Sequence, residues 1–300
     1  MKKIDKLNAR HGIPGVVEFV NGPGGLPSVS ITNTRASALA TLQGAQMLSF
    51  KLADGRDLLW VSEASHFKPG AAIRGGIPIC WPWFGGHPEN PDLPAHGFAR
   101  ISEWDVVETA ALGDGSTRII FGLNDSPETR CGWDHAFDLR LSVTVSDALT
   151  VSLITKNTGF QPLEITSALH TYFSVSRIND VSVSGLDGCP CLDTLDGEEK
   201  VQSGDIRFDC ETDNVYFDQT SDILLNDPGF HRTIRIGKEG SASTIVWNPW
   251  VEKAKRMADF GDNEYPSMLC IEAANALKDM RRIEPGMTHE LTTTLSVLPA

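Results

Sequence analysis

Apolar and polar residues alternate along much of this chain. From Phe137 to Val145 the run is Phe-Asp-Leu-Arg-Leu-Ser-Val-Thr-Val, and a period of two puts successive side chains on opposite faces of a strand. The turn Ser146-Asp147-Ala148 leads into a second run, Leu149 to Lys156, so the two predict a hairpin. Shorter segments of the same kind are Val16 to Val20, Ser28 to Asn33, Ser37 to Leu42 and Ala45 to Ala53. Asp54-Gly55 is a hairpin-turn dipeptide before Arg56 to Val61. Trp104 to Ala111 and Ser116 to Leu123 flank the turn Gly113-Asp114-Gly115. Asp180 to Leu186, Asn214 to Asp218, Thr233 to Gly237, Ser243 to Trp247 and Thr288 to Leu298 continue the series, and only Val251 to Phe260 reads as a helix. Many strands, few helices and no repeat or linker predict an all-β chain, a large twisted antiparallel β-sandwich. It is expected to form one domain over residues 1–300, with 1–13 as a peripheral N-terminal segment.

Two strands depart from simple alternation of core and solvent. Leu163 to Ser176 reads LEITSALHTYFSVS. Leu163, Ile165, Ser167, Leu169, Thr171, Phe173 and Val175 share one face, which is mostly core. Glu164, Thr166, Ala168, His170, Tyr172 and Ser174 share the other, a small and polar row suited to a concave cleft. A histidine in a strand serves equally well as a structural residue; the polar row is what makes His170 a candidate acid or base. Tyr265 to Asn275 reads YPSMLCIEAAN, apolar on both faces and therefore expected to be buried on both, with Glu272 directly after the apolar run. A carboxylate there must be paired, hydrogen-bonded or raised in pKa, and a raised pKa suits a general base working on a sugar hydroxyl. A structural ion pair is the other reading.

Charge singles out one further stretch. The formal net charge is -13, yet no Asp or Glu lies between Glu63 and Glu89. That window holds Lys68 and Arg74, and Arg100 closes the longer segment from Ala64. Gly75-Gly76, Gly85-Gly86 and Gly97 sit beside Arg74, His87 and His96, Pro78, Pro82, Pro88, Pro91 and Pro94 stiffen the segment, and Trp81, Trp83, Phe84 and Phe98 supply anchors. Such a loop reads as the wall of a pocket for a small anion, or as a well-packed loop whose arginines face solvent. Asp213, at the entry to a strand, is a carboxylate that also fits a turn or cap. Trp247-Asn248-Pro249-Trp250 offers flat platforms for a sugar, or core material.

The acidic balance argues against a nucleic-acid partner, which needs a basic face. No apolar run approaches the roughly 18 residues of a membrane span. The start Met1-Lys2-Lys3-Ile4-Asp5 lacks the apolar core of a signal peptide. Six scattered cysteines, with Cys189 and Cys191 as a lone CxC, suit free thiols in a reducing cytoplasm better than a metal site.

In order, the segments RGGIPICWPWFG, LPAHGFAR, ALHTYFSV, TDNVYFD, VWNPW, MADF and CIEAAN resemble the aldose 1-epimerase superfamily, most nearly its hexose-6-phosphate mutarotase branch. The resemblance implies a galactose-mutarotase-like supersandwich working as a monomer without metal or organic cofactor. It also implies His170 as general acid and Glu272 as general base. His96 and Asp213 become ligands to the sugar, and Arg74 and Arg100 ligands to a 6-phosphate. Ala273 and Asp134 stand where proline is common in the family, which touches loop detail alone. Mutarotation of neutral aldoses, or carbohydrate sensing without catalysis, are the alternative expectations on the same scaffold.

Overall fold

A computed structural model of the chain describes residues 2–53, 55–87 and 89–299. Asp54, half of the expected hairpin turn, and Pro88 lie outside the described residues. The long alternating runs pair as antiparallel ladders. Phe137–Val145 and Ala148–Asn157 form the predicted hairpin, in register from Phe137 opposite Asn157 to Val145 opposite Leu149. They lie inside an eight-stranded sheet whose order is Ser182–Ser184, Ile223–Asp227, Arg232–Glu239, Thr288–Leu298, Ala148–Asn157, Phe137–Val145, Thr117–Asn124 and Asp105–Ala111.

A second eight-stranded sheet runs Glu199–Val201, Pro190–Asp193, Thr212–Tyr216, Ser243–Asn248, Met268–Asn275, Ser167–Leu169 and Ile79–Cys80, with Tyr172–Ser174 also paired to Met268–Asn275. A four-stranded sheet of Val17–Asn21, Pro27–Thr32, Ala36–Thr41 and Met47–Leu52 and a pair of Leu163–Ile165 with Arg281–Ile283 complete the strands. The predicted all-β, antiparallel class holds.

The second sheet is apolar on both faces, and this positions the site. Leu269, Ile271 and Ala273 enter the main core, as do Val246, Tyr216, Leu169 and Phe173. That core also takes Leu139, Leu141, Val143, Val151 and Leu153 from the first sheet. The alternate residues Cys270, Ala274, Ile245, Trp247, Val215, Ala168 and Tyr172 build a smaller cluster on the opposite face. Every residue of Met268–Asn275 is buried, as its sequence predicts. Glu272 belongs, by the period of two, to the face of Cys270 and Ala274.

Several expectations need correction. The run Leu163 to Ser176 keeps its predicted faces but is not one strand. It breaks into Leu163–Ile165, Ser167–Leu169 and Tyr172–Ser174, and the first piece pairs outside the second sheet. Its second face is not an open polar row, because Ala168, His170 and Tyr172 are all buried. Arg56 to Val61 forms no ladder, only isolated bridges from Leu59 to Phe173 and from Val61 to Gly75. The expected helix is shorter and earlier, Trp250–Arg256. Two more α-helices occur among the described residues, Lys3–His11 and Pro127–Gly132. In the first, Ile4 and Leu7 pack against the main core, and the Asn8 amide both donates to Phe19 O and accepts from Phe19 N, at 2.7 Å each. In the second, Ser126 accepts from Thr129 N at 3.3 Å and Pro127 opens the first turn.

Candidate active site

Glu272 is 1% exposed and sits in the middle of the second sheet, opposite Ile245. Burial, reinforced by the nearby negative charge of Asp213 and opposed by Arg100, raises its carboxyl well above the ordinary range. His170 falls in the gap between Ser167–Leu169 and Tyr172–Ser174, the two short strands that pair with the Glu272 strand. Register alone therefore brings it beside Glu272. His170 Nδ1 lies 3.3 Å from Glu272 Oε1. The alignment falls short of a hydrogen bond, and His170 Nδ1 and Glu272 Oε2 are both buried without a partner among the described residues. Burial, followed by His96, Arg100 and Arg74, holds the His170 pKa well below that of a free imidazole.

His96 comes from the glycine-rich loop, its ring centroid 5.8 Å from that of His170. Its backbone is left-handed (φ 63°), as is Gly97 (φ 73°). A Cβ on Gly97 would stand 2.0 Å from Trp81 O, so glycine is required there. His96 Nδ1 accepts from Gly85 N at 3.2 Å, which assigns the proton to Nε2 and makes that atom a donor. Burial, then Arg100 and Arg74, lower its pKa to about 3. His96 is thus neutral at physiological pH.

Arg74 is the most fully engaged of the candidates. Its Nε and Nη2 donate to Asp259 at 3.2 and 3.1 Å, and its Nη1 donates to Tyr172 Oη at 3.1 Å. Burial pulls its pKa down, but Tyr172 and Asp259 outweigh that and keep the guanidinium charged. Three of the five N–H groups of an arginine are used in this way, and the remaining two are free for a ligand. Arg100 donates through Nη2 to Ala95 O at 2.7 Å, while its Nε is buried without a partner among the described residues. Its positive field pulls the pKa of both His96 and Glu272 down, adding to the effect of burial on the histidine and opposing it on the carboxyl.

Asp213 lies on Thr212–Tyr216 opposite Trp247, on the face of Val215. Burial raises its pKa against the pull of Lys253, whose Nζ is 3.4 Å from Asp213 Oδ2. Trp247 stands edge-on to His170 and Tyr172, at 6.1 and 6.0 Å between centroids, and so walls the same site. The six predicted residues converge on one side of the second sheet. His87 and Lys68 have local roles instead. His87 Nδ1 accepts from Glu89 N and Asn90 N while its ring packs edge-on against Trp83; Lys68 is exposed, and its carbonyl accepts from Gln43. Sequence reasoning assigned no role to Asp259, Lys253 or the Tyr172 hydroxyl. Asp259 lies in the MADF segment, so a signal was present; its partner is 185 residues away in the chain, which hides the pairing.

A buried carboxyl against an imidazole, with neutral donors and two arginines around them, can move one proton onto an oxygen and another off its neighbour. The fold and this constellation define a class. The aldose 1-epimerase family model matches residues 27–296, and the chain belongs to that family of isomerases.

Among its relatives, a protein of Cenchrus ciliaris is 38% identical over 94% of this chain and 88% of its own length. One from Escherichia coli K12 is 37% identical over 88% of each. Both carry the provisional name glucose-6-phosphate 1-epimerase. A Salmonella typhimurium crystal structure, provisionally described as a mutarotase, superposes with a TM-score of 0.90 at 30% identity over the whole of both chains. A galactose mutarotase related enzyme of Lactobacillus acidophilus, at 14% identity and a TM-score of 0.72, shares the fold over 91% of this chain and 97% of its own. No helix among the described residues is long and apolar enough to cross a membrane, and all six cysteines are free thiols.

Proposed function

We propose that this protein interconverts the α and β anomers of hexose 6-phosphates, glucose 6-phosphate first among them. It does so as a single-domain monomer in the cytoplasm, where its thiols stay reduced. The observation that carries the reading is the chain of contacts from Arg74 through Tyr172 to His170 and Glu272, which supports reading the arginine as an anion ligand beside an acid–base pair. The names of the relatives point to the same substrate.

The reaction balances on the pair alone. Glu272 as carboxylate takes the proton of the C1 hydroxyl, and His170 as imidazolium gives one to the ring oxygen. The C1–O5 bond breaks and the open aldehyde forms. The pair has then become Glu272 carboxylic acid and neutral His170. Rotation about C1–C2 and the reverse transfers close the ring on the other face. Ring opening thus discharges two buried groups, and burial, which raises Glu272 and lowers His170, favours that discharged state. The site in this way stabilises the intermediate relative to the bound sugar. His96 Nε2–H and Asp213 hold sugar oxygens, and the free N–H groups of Arg74 together with Arg100 take the phosphate.

The test follows anomer exchange by NMR after dissolving one pure anomer of glucose 6-phosphate, with glucose in parallel. The native protein should accelerate the phosphosugar far more than glucose. Glu272→Gln and His170→Asn, folded as judged by circular dichroism, should each lose about 10²–10⁴-fold in rate. Equal acceleration of both sugars would remove the phosphate from the reading, and full turnover by either variant would remove that residue.

A further inference from the structure

We propose that the acid–base pair and Cys270 form a zinc-binding site through which the metal switches the enzyme off. Cys270 and Glu272 are two residues apart on one strand, so both side chains point to the same face. His170 joins them from the gap between two strands paired to it. The imidazole nitrogen, the thiol sulfur and a carboxylate oxygen lie within 4.8 Å of one another, all three residues buried.

The second observation is independent of that grouping. His170 Nδ1 and Glu272 Oε2 are buried atoms without a hydrogen-bond partner among the described residues, although their residues are 8% and 1% exposed. Buried polar atoms are rarely left so. Those two unpartnered atoms beside a thiol are the donor set that zinc takes when the imidazole presents Nδ1 without its proton, and three protein ligands leave the fourth position open. Tetrahedral ligands at zinc bond lengths stand about 3.3–3.8 Å apart. The 3.3 Å between His170 Nδ1 and Glu272 Oε1 already fits; the Cys270 sulfur, within 4.8 Å of both, has to close by at most about 1.5 Å.

On binding, the thiol of Cys270 loses its proton to solvent, its sulfur and the His170 and Glu272 lone pairs bond the ion, and the metal stays divalent. His170 and Glu272 can then neither give nor accept a proton. That inhibition rests on the reading of function above; the site itself does not.

The two parts are therefore tested separately. Cobalt(II) reports a thiolate ligand by a charge-transfer band in the near ultraviolet. It would be titrated into full-length protein carrying Cys131→Ser and Cys210→Ser, which removes the exposed thiols. The band should appear, and should vanish on adding Cys270→Ala or, if that variant misfolds, Cys270→Ser. Absence of the band in the parent, or its persistence without Cys270, overturns the site. Zinc chloride should also slow anomer exchange, and Cys270→Ala should need at least about tenfold more zinc for half inhibition of its own zinc-free rate. Equal sensitivity overturns the switch. A protein with no exchange activity at all would sink the proposed function and with it the switch, while the cobalt spectrum still decides the site.

Discussion

The ring of Tyr172 lies parallel to that of His170, 4.7 Å between centroids and 7° between planes. Its hydroxyl meanwhile accepts from Arg74. One side chain therefore fixes the plane of the His170 ring, the proposed acid, and the position of an arginine. Tyr172→Phe keeps the ring and loses the hydroxyl. It should raise KM for glucose 6-phosphate about tenfold, the size of one hydrogen bond to a charged group, with little change on glucose. Tyr172→Leu should lower kcat on both sugars. Steady-state kinetics on the two substrates separate the cases; equal losses from Tyr172→Phe would mean that its hydroxyl serves packing alone.

Arg74→Met and Arg100→Met should each raise KM for the phosphosugar about 10- to 100-fold, since charge-assisted hydrogen bonds are worth roughly 1.5–3 kcal/mol. Glucose turnover should hold in both. Arg74→Met also leaves Asp259 without its partner, so its thermal midpoint should fall further than that of Arg100→Met. A pair of melting curves measures this.

In the proposed mechanism activity needs one proton on the Glu272–His170 pair, which as a coupled pair should titrate as a unit. The rate should fall on the alkaline side as that proton is lost, at a pH set by the raised pKa of Glu272. On the acid side it should fall only well below pH 6.5, because His170 resists a second proton. Asp213 raises the Glu272 pKa. Asp213→Asn should therefore move the alkaline limb of kcat/KM to lower pH and leave the acid limb in place. Movement of the acid limb instead would show that Glu272 works as an isolated carboxylate.

Lys238 gives a stability prediction away from the site. Its ammonium donates to Ser243 O, Thr244 Oγ1 and Ser241 Oγ at 2.9, 2.8 and 3.3 Å. Burial still lowers its pKa from 10.5 to about 7, against the pull of Asp279 and Cys189. Between those values the unfolded chain holds the proton and the folded one does not, so stability rises with pH across that window and is flat below it. Lys238→Met removes the dependence. Its melting point relative to native protein should drop by roughly 2–4 °C or more between pH 7 and pH 10; a constant difference refutes the burial argument.

Much of this was legible in the chain. Alternation located Phe137–Val145 and Thr288–Leu298 to the residue, because a strand with one wet and one dry face writes its period directly. The doubly apolar run before Glu272 announced a strand buried on both sides. What stayed hidden is what depends on long-range pairing. Ile79–Cys80 is two residues long and owes its existence to Ala168 and Leu169. Arg56 to Val61 has strand composition but meets only single bridges. The Lys3–His11 helix has few apolar residues and is held by the main chain of Phe19, which no local pattern reveals. The Ser126-Pro127 start of the second short helix was written in the sequence, but one turn and a half is too short to show a period.

Glu272 sits on a strand hydrogen-bonded to neighbours on both sides, whereas Arg74 and His96 ride on a loop tied down by isolated bridges and single bonds. Amide protons of Met268–Asn275 should thus exchange with solvent only through global opening, and those of the loop through local openings that cost far less. On the proposed reading the tasks divide along that line: the group assigned to proton transfer is fixed as firmly as the fold itself, and the groups assigned to the sugar sit on the segment that opens more readily. Warming such a protein should blur its choice of substrate before it silences its chemistry.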